Sequence, residues 1–234
     1  MPRRPLRPHQ RLLLLASAAA VAAWVIPYIR YLSLPLIYLN THIHELFHAI
    51  AAEGTGGDAA RILVHADGSG LTATAGGNLF LIASAGYVGS AILGAAMIAL
   101  GRTERSARAV LLVLAGVLTV GMVFWVRGDG IGVLSGVMWI LLLAVLGRFL
   151  RGTGAIFAAQ FLGVQQCLAS AQAFLVLFQV SAFTTHQNDA KLLAEHTGMP
   201  AVLWATLWAV FSATLILLAL RRAWRGGAPD RGPA

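Results

Sequence analysis

The sequence predicts an all-α polytopic membrane bundle of about six or seven spans, with a short β-hairpin-like loop after the second helix. Three observations carry that expectation. The 234 residues are 58% hydrophobic and only 11% charged, with a mean hydropathy of +0.76, more apolar surface than a water-soluble domain of this size has a use for. Apolar runs of about 20 residues recur from end to end, each able to cross roughly 30 Å of hydrocarbon as a helix. The 17 basic residues, against 9 acidic for a net charge of +8, cluster at the chain ends and in short loops, the distribution that orients membrane helices and touches anionic headgroups.

The same distribution argues against nucleic acid as a partner, because no basic stripe with interleaved aromatics is present. Cys167 is the single cysteine, which excludes an internal disulfide and any multi-cysteine metal site and leaves it a small apolar packing role. Residues 1–11 carry Arg3, Arg4, Arg7 and Arg11 among three prolines and read as a disordered basic arm held in the cytoplasm. Residues 12–220 read as one integral membrane domain of the plasma membrane, and 221–234 as a basic disordered tail. Leu12 to Ile29 is expected to be an uncleaved signal anchor, since the apolar run continues through Trp24, Val25 and Ile26 past the best cleavage positions.

Tyr31 to Glu53 is the second expected span, with Pro35 in its first turn and Gly54 at its end. It contains His44-Glu45-Leu46-Phe47-His48, the pattern H-E-x-x-H. On a helix His44 and His48 share one face and can offer two nitrogens to one metal ion, while Glu45 lies about 100° round, within reach of a water on that ion. Glu45 falls about 18 Å along the helix, which predicts a site at or just beyond mid-bilayer. His42 points to a different face and reads as a polar residue of the helix start, His65 and Glu53 as solvated groups, and Asp129 as half of a surface ion pair with Arg127.

Residues 56–78 form the longest polar stretch. Arg61 to Ala66 and Leu71 to Ala75 flank Asp67-Gly68-Ser69-Gly70 and predict two short strands about a glycine-rich turn. A lone hairpin is marginal, so it should rest on the helices. It is either an edge strand that pairs with an extended substrate segment or a plain surface loop. Leu79 to Leu100 follows, with Gly86, Ser90 and Gly94 forming a small-residue face for close packing beside the metal helix. Further spans are expected at Ala109 to Val126, Ile131 to Leu146, Ala155 to Val180 and Pro200 to Leu220, with a polar segment from Ser181 to Met199. Seven spans would leave two basic termini on opposite sides, against the positive-inside rule, and the first two spans are the least securely separated.

A catalytic zinc takes three protein ligands and one open position, so a third ligand must come from far along the chain. Thr184-Thr185-His186-Gln187-Asn188-Asp189-Ala190 is the densest cluster of possible ligands. Asp189 is the choice, with a helix cap as its plain alternative; His186 is either the ligand itself or, with Asn188, a group that orients one. One zinc ion per chain would lower the pKa of its water from 15.7 toward about 7, and Glu45 would act as general base and then acid in hydrolysis of a peptide bond.

His44-Glu45-Leu46-Phe47-His48-Ala49 with Gly54-Thr55-Gly56-Gly57, then Ala85-Gly86-Tyr87-Val88-Gly89-Ser90, then Asn188-Asp189-Ala190 with Thr197-Gly198-Met199-Pro200 and Trp204 resemble the site-2 protease family of intramembrane zinc metallopeptidases, in particular the short bacterial members that lack a PDZ domain. The resemblance spans most of the chain. It implies zinc held by His44, His48 and Asp189, Glu45 as the catalytic acid and base, and cleavage of membrane-spanning protein substrates. The alternative is a catalytically inactive relative that binds membrane helices or a metal without hydrolysis. A transporter is disfavoured, because no paired broken helices in two similar halves are evident.

Overall fold

The apolar runs become helices, and the glycine-rich polar stretch becomes the only sheet among the described residues. A computed structural model describes residues 6–25, 33–183 and 188–225. In chain order the elements are α1 (Pro8–Val25), α2 (Leu34–Gly54), β1 (Asp58–Val64), β2 (Gly70–Ala75), α3 (Leu79–Leu100), α4 (Glu104–Phe124), α5 (Gly130–Phe149), α6 (Gly152–Phe183), α7 (Asp189–Thr197) and α8 (Ala201–Arg225). Of these, α3, α4, α5 and α8 are long and apolar enough to cross a membrane. Helix begins at Pro8, inside the stretch expected to be a disordered arm, and α7 forms a short helix inside the segment expected to be merely polar.

Helix α2 is joined to α4 and α5 by a buried cluster that includes Leu39, Ile43, Leu111, Leu118, Trp139 and Leu143. Burying each such side chain contributes about 1.5–3 kcal/mol in water, less where the alternative is lipid. Trp139 Nε1 also donates to Pro35 O at 2.6 Å, at the open start of α2. The opposite faces of α4 and α5 expose Val113, Val120, Leu134 and Leu141, as expected of helices that face lipid.

The small-residue face of α3 is shared between two neighbours, a refinement of the expectation that all of it serves the motif helix. Gly86 and Gly89 lie against His44 and Phe47 of α2, whereas Gly94 meets α6. A Cβ at Gly94 would come within 2.6 Å of Gly163 O, so there the two backbones touch. Cys167 is buried at the same crossing, its Sγ 3.7 Å from Ala91 O.

The hairpin is antiparallel, pairing Ile62 with Thr72, with an irregularity between Ala59 and Arg61. It rests on α2: Tyr38 Oη donates to Ala66 O at 2.9 Å, and Thr41 Oγ1 to Gly68 O at 2.6 Å. The outer edge of β1 is covered by the α4–α5 connection, where Ile62 N donates to Trp125 O at 2.7 Å. Asp129 is not the surface ion pair expected of it. It caps α5 by accepting from Gly132 N and takes Val64 N at 3.1 Å, tying the end of β1 to the start of α5.

The two ends of the bundle differ. His9 Nε2 and Gln10 Nε2 both donate to Trp224 O, at 3.2 and 3.4 Å, so the start of α1 and the end of α8 lie together. The hairpin, α7, and the first turns of α3 and α5 form the other end.

Candidate metal centre

The two histidines of α2 come together with a carboxylate 141 positions after His48 in the chain. His48 Nε2 is 2.9 Å from His44 Nε2, and Asp189 Oδ2 is 3.4 Å from each. Donor atoms 2.0–2.1 Å from a tetrahedral ion are about 3.3–3.4 Å apart. Two nitrogens and a carboxylate oxygen at these separations therefore fit one metal ion. No other group of three potential ligands occurs among the described residues.

Each donor is aimed by the chain around it. The His48 ring donates from Nδ1 to Ile82 O on α3 at 2.6 Å, which leaves the lone pair of Nε2 facing Asp189. The His44 ring packs edge-on against Tyr87, 4.6 Å between centroids, in the space that Gly86 leaves open. Tyr87 in turn stacks on Trp208 of α8 at 4.9 Å. His42, expected as a polar residue of the helix start, is buried within α2 and hydrogen-bonds Ser135 Oγ of α5 at 3.0 Å, on the side away from the metal group.

Asp189 is the first residue of α7, and its position follows from how that short helix is held. Asn188, not Asp189, is the cap, accepting from Lys191 N at 3.0 Å. Ala190 and Leu193 bury against Ala83 and Tyr87 of α3 and Trp204 of α8. Gly198 takes the left-handed conformation that ends the helix, at φ +75°. Thr197 Oγ1 then accepts from Trp204 Nε1 at 3.2 Å. His186 lies outside the described residues.

Glu45 is 6% exposed. Thr72 Oγ1 sits 2.6 Å from Glu45 Oε2 and 3.0 Å from Glu45 O, so strand β2 holds the carboxylate by one oxygen. A Cβ at Gly70 would come within 2.5 Å of Glu45 Oε1, so glycine is what lets the strand lie over the acid. From the sequence, Gly70 reads only as a turn residue and Thr72 only as part of a strand. The signal lay in strand alternation, which puts Gly70, Thr72 and Thr74 on one face of β2.

A cavity of about 660 Å³ joins these parts. Its lining includes His44, Glu45, His48 and Asp189, residues 69–72 and Thr74 of the hairpin, and Ser90 and Ser170 deeper in the bundle. Ser90 Oγ and Asn188 Nδ2 are buried lining atoms with no protein hydrogen-bond partner among the described residues, so both can bond to what enters. The centre is also shallower than expected. His48 bonds Ile82, three residues into α3, and His44 packs on Gly86, seven residues in. At 1.5 Å per residue these lie about 5 and 10 Å from the end of a helix about 33 Å long, in the third of the bundle nearest the hairpin instead of at its middle.

The model of the Peptidase M50B-like family matches residues 14–219, from α1 to α8. The chain belongs to that family, the site-2 protease family. No curated protein and no solved structure matches it. Membership identifies a metallopeptidase lineage and agrees with membrane helices gathered around a possible metal site. Within the matched range fall the two motif histidines, the glycines of α3, and the Asn188-Asp189 pair with its supporting Thr197 and Trp204.

Proposed function

We propose that the protein is a zinc-dependent intramembrane endopeptidase of the plasma membrane, with one zinc ion per chain on His44, His48 and Asp189 and with Glu45 as acid and base. The observation that carries this reading is the three-atom donor set beside a buried carboxylate held by one oxygen. Two imidazoles and a carboxylate suit zinc, and three ligands leave a fourth position open. When bound, zinc supplies Lewis acidity that acidifies a water and polarises the scissile carbonyl.

The chain's own residues do the rest. With Oε2 engaged by Thr72, Glu45 Oε1 takes a proton from the attacking water and returns it to the departing amine nitrogen. Substrates are membrane-spanning protein segments. A helical segment hides its carbonyl carbons, and β2 offers a way to unwind it: among the described residues β2 pairs only with β1. An extended segment that adds to the open edge of β2 would lie along the cavity wall beside Glu45. Asn188 Nδ2 and Ser90 Oγ are the donors available to its backbone carbonyls.

The test is cleavage of single-span membrane peptides by the metal-loaded protein in proteoliposomes. Glu45→Gln is expected to lower the rate by about 10²–10⁴-fold while bound metal, measured by elemental analysis, stays at one per chain. Equal cleavage by both proteins would reject the proposal.

A further inference from the structure

The metal centre leaves the deepest part of the cavity unused. Asn40 is one helical turn before His44 on α2, and Ser90 is one turn after Gly86 on α3. Both therefore lie on the faces that carry the centre, about 6 Å further from the hairpin. Both line the cavity, with Ser170 of α6 beside them. Gln166, one turn before Ser170, donates from Nε2 to Asn40 Oδ1 at 2.6 Å.

These polar groups are of two kinds. Ser170 Oγ donates to Tyr87 O at 2.7 Å and lies 2.8 Å from Ser212 Oγ, so it is satisfied and ties α6 to α3 and α8. The Asn40–Gln166 pair is only half used. Gln166 is 0% exposed, yet its Oε1 has no hydrogen-bond partner, and Asn40 Nδ2 donates to nothing among the described residues. A pair kept only to join α2 to α6 needs one hydrogen bond, and a second donor and acceptor left unpaired inside a bundle cost stability. Turning both amides round exchanges their roles and leaves the same complement, one N–H donor beside one carbonyl acceptor. A side chain that accepts and donates at once matches it, which means a hydroxyl or a carboxamide. An ionised carboxylate has nothing to donate, an ammonium has nothing to accept with, and an apolar group leaves both atoms unpaired.

We propose that Asn40 and Gln166 form a specificity subsite that takes a hydroxyl or carboxamide side chain of the substrate segment. The proposal rests on the endopeptidase reading, since it is the unwound segment in the cavity that presents this side chain. An extended chain advances about 3.3 Å per residue, so the recognised side chain lies about two residues from the bond held at the centre. Ser90 Oγ, on the facing helix, stays available to the segment's backbone.

The test reads binding, so it does not depend on cleavage. Metal-loaded Glu45→Gln protein in proteoliposomes is titrated with fluorescent single-span peptides of leucine, alanine and valine, in which threonine replaces valine at each of six consecutive positions in turn. Threonine and valine are close in shape and in helix propensity, so ease of unwinding is matched and the hydroxyl alone differs. At one position threonine is expected to bind about tenfold tighter than valine. Gln166→Met, of similar length but without the amide, is expected to erase that preference and to bind the valine peptides as before. Asn40→Leu removes the other half of the pair and should give the same result, which keeps the test open should the first variant fail to fold. Equal binding of threonine and valine peptides at every position, or a preference that survives both substitutions, would overturn the subsite. Cleavage by the unaltered protein with no threonine preference would reject the subsite and leave the endopeptidase reading intact. A threonine preference without cleavage would do the reverse.

Discussion

Helix pairs α2–α3 and α4–α5 do opposite work. In α4–α5 large residues such as Leu111, Leu114 and Leu143 fill the inner face, and Val113, Val120 and Leu134 cover the outer one. In α2–α3 the partner surface is cut down to Gly86 and Gly89, and the space they release is taken by the His44 ring and Phe47. Hydropathy describes the first pair well. In the second, a polar helix is accepted because its neighbour has surrendered side chains to make room. Where small residues face polar rings across a helix crossing, the crossing carries the chemistry, and where large ones face each other it carries the fold.

The largest effect expected on this contrast comes from the third donor, which neither pair supplies. Asp189→Ala leaves both helix crossings untouched and removes the carboxylate 3.4 Å from both histidines. Metal affinity should fall by more than the roughly 10–100-fold that loss of an outlying support costs, with helical content unchanged by circular dichroism. Full metal retention would show that another group, outside the described residues, completes the shell.

A matched pair of glycine substitutions probes the crossings directly. A Cβ at Gly86 would fall 2.5 Å from His44 Nε2, whereas one at Gly116, on the exposed face of α4, meets nothing within 4 Å. Gly86→Ala should turn the His44 ring and weaken metal binding about 10–100-fold. Gly116→Ala should leave affinity and cleavage unchanged, with stability unchanged or raised by up to about 1 kcal/mol. Equal effects from the two would mean that the α2–α3 contact is ordinary packing.

These contrasts also explain what could be read from the chain in advance. Helices α3, α4, α5 and α8 follow from apolar length. Helix α2 does not meet that measure, since Asn40, Thr41, His42, His44, Glu45 and His48 dilute it, and it was legible through the spacing of its histidines. Asp189 was legible within the densest cluster of possible ligands far along the chain, but its placement depends on Thr197, Gly198 and Trp204 acting together on α7. Thr72 was hidden because its partner Glu45 is reached only once the hairpin folds back along α2. The depth of the centre was misjudged for a related reason. Counting residues along α2 locates Glu45 within that helix, whereas depth in the bundle is set by where α2 meets the first turns of α3.

The finest separation of the two regions uses their helix caps. Asn188 accepts from Lys191 N at the start of α7, and Thr103 accepts from Ser106 N at 3.2 Å at the start of α4. Replacing either by alanine removes one capping bond, worth about 1 kcal/mol. At α4 that loss has no route to the metal group, so Thr103→Ala should lower thermal stability and leave metal affinity and cleavage as they were. At α7 the residue after the cap is Asp189 itself. The helix has only nine residues, too few to hold its first turn once the cap is gone, and its fraying moves the carboxylate. Asn188→Ala should therefore weaken metal binding about fivefold, the factor that 1 kcal/mol represents, and cleavage should recover as metal is raised to saturation. If cleavage stays low at saturating metal, the cap is not the whole of the role of Asn188, and its inward Nδ2 acts on the substrate.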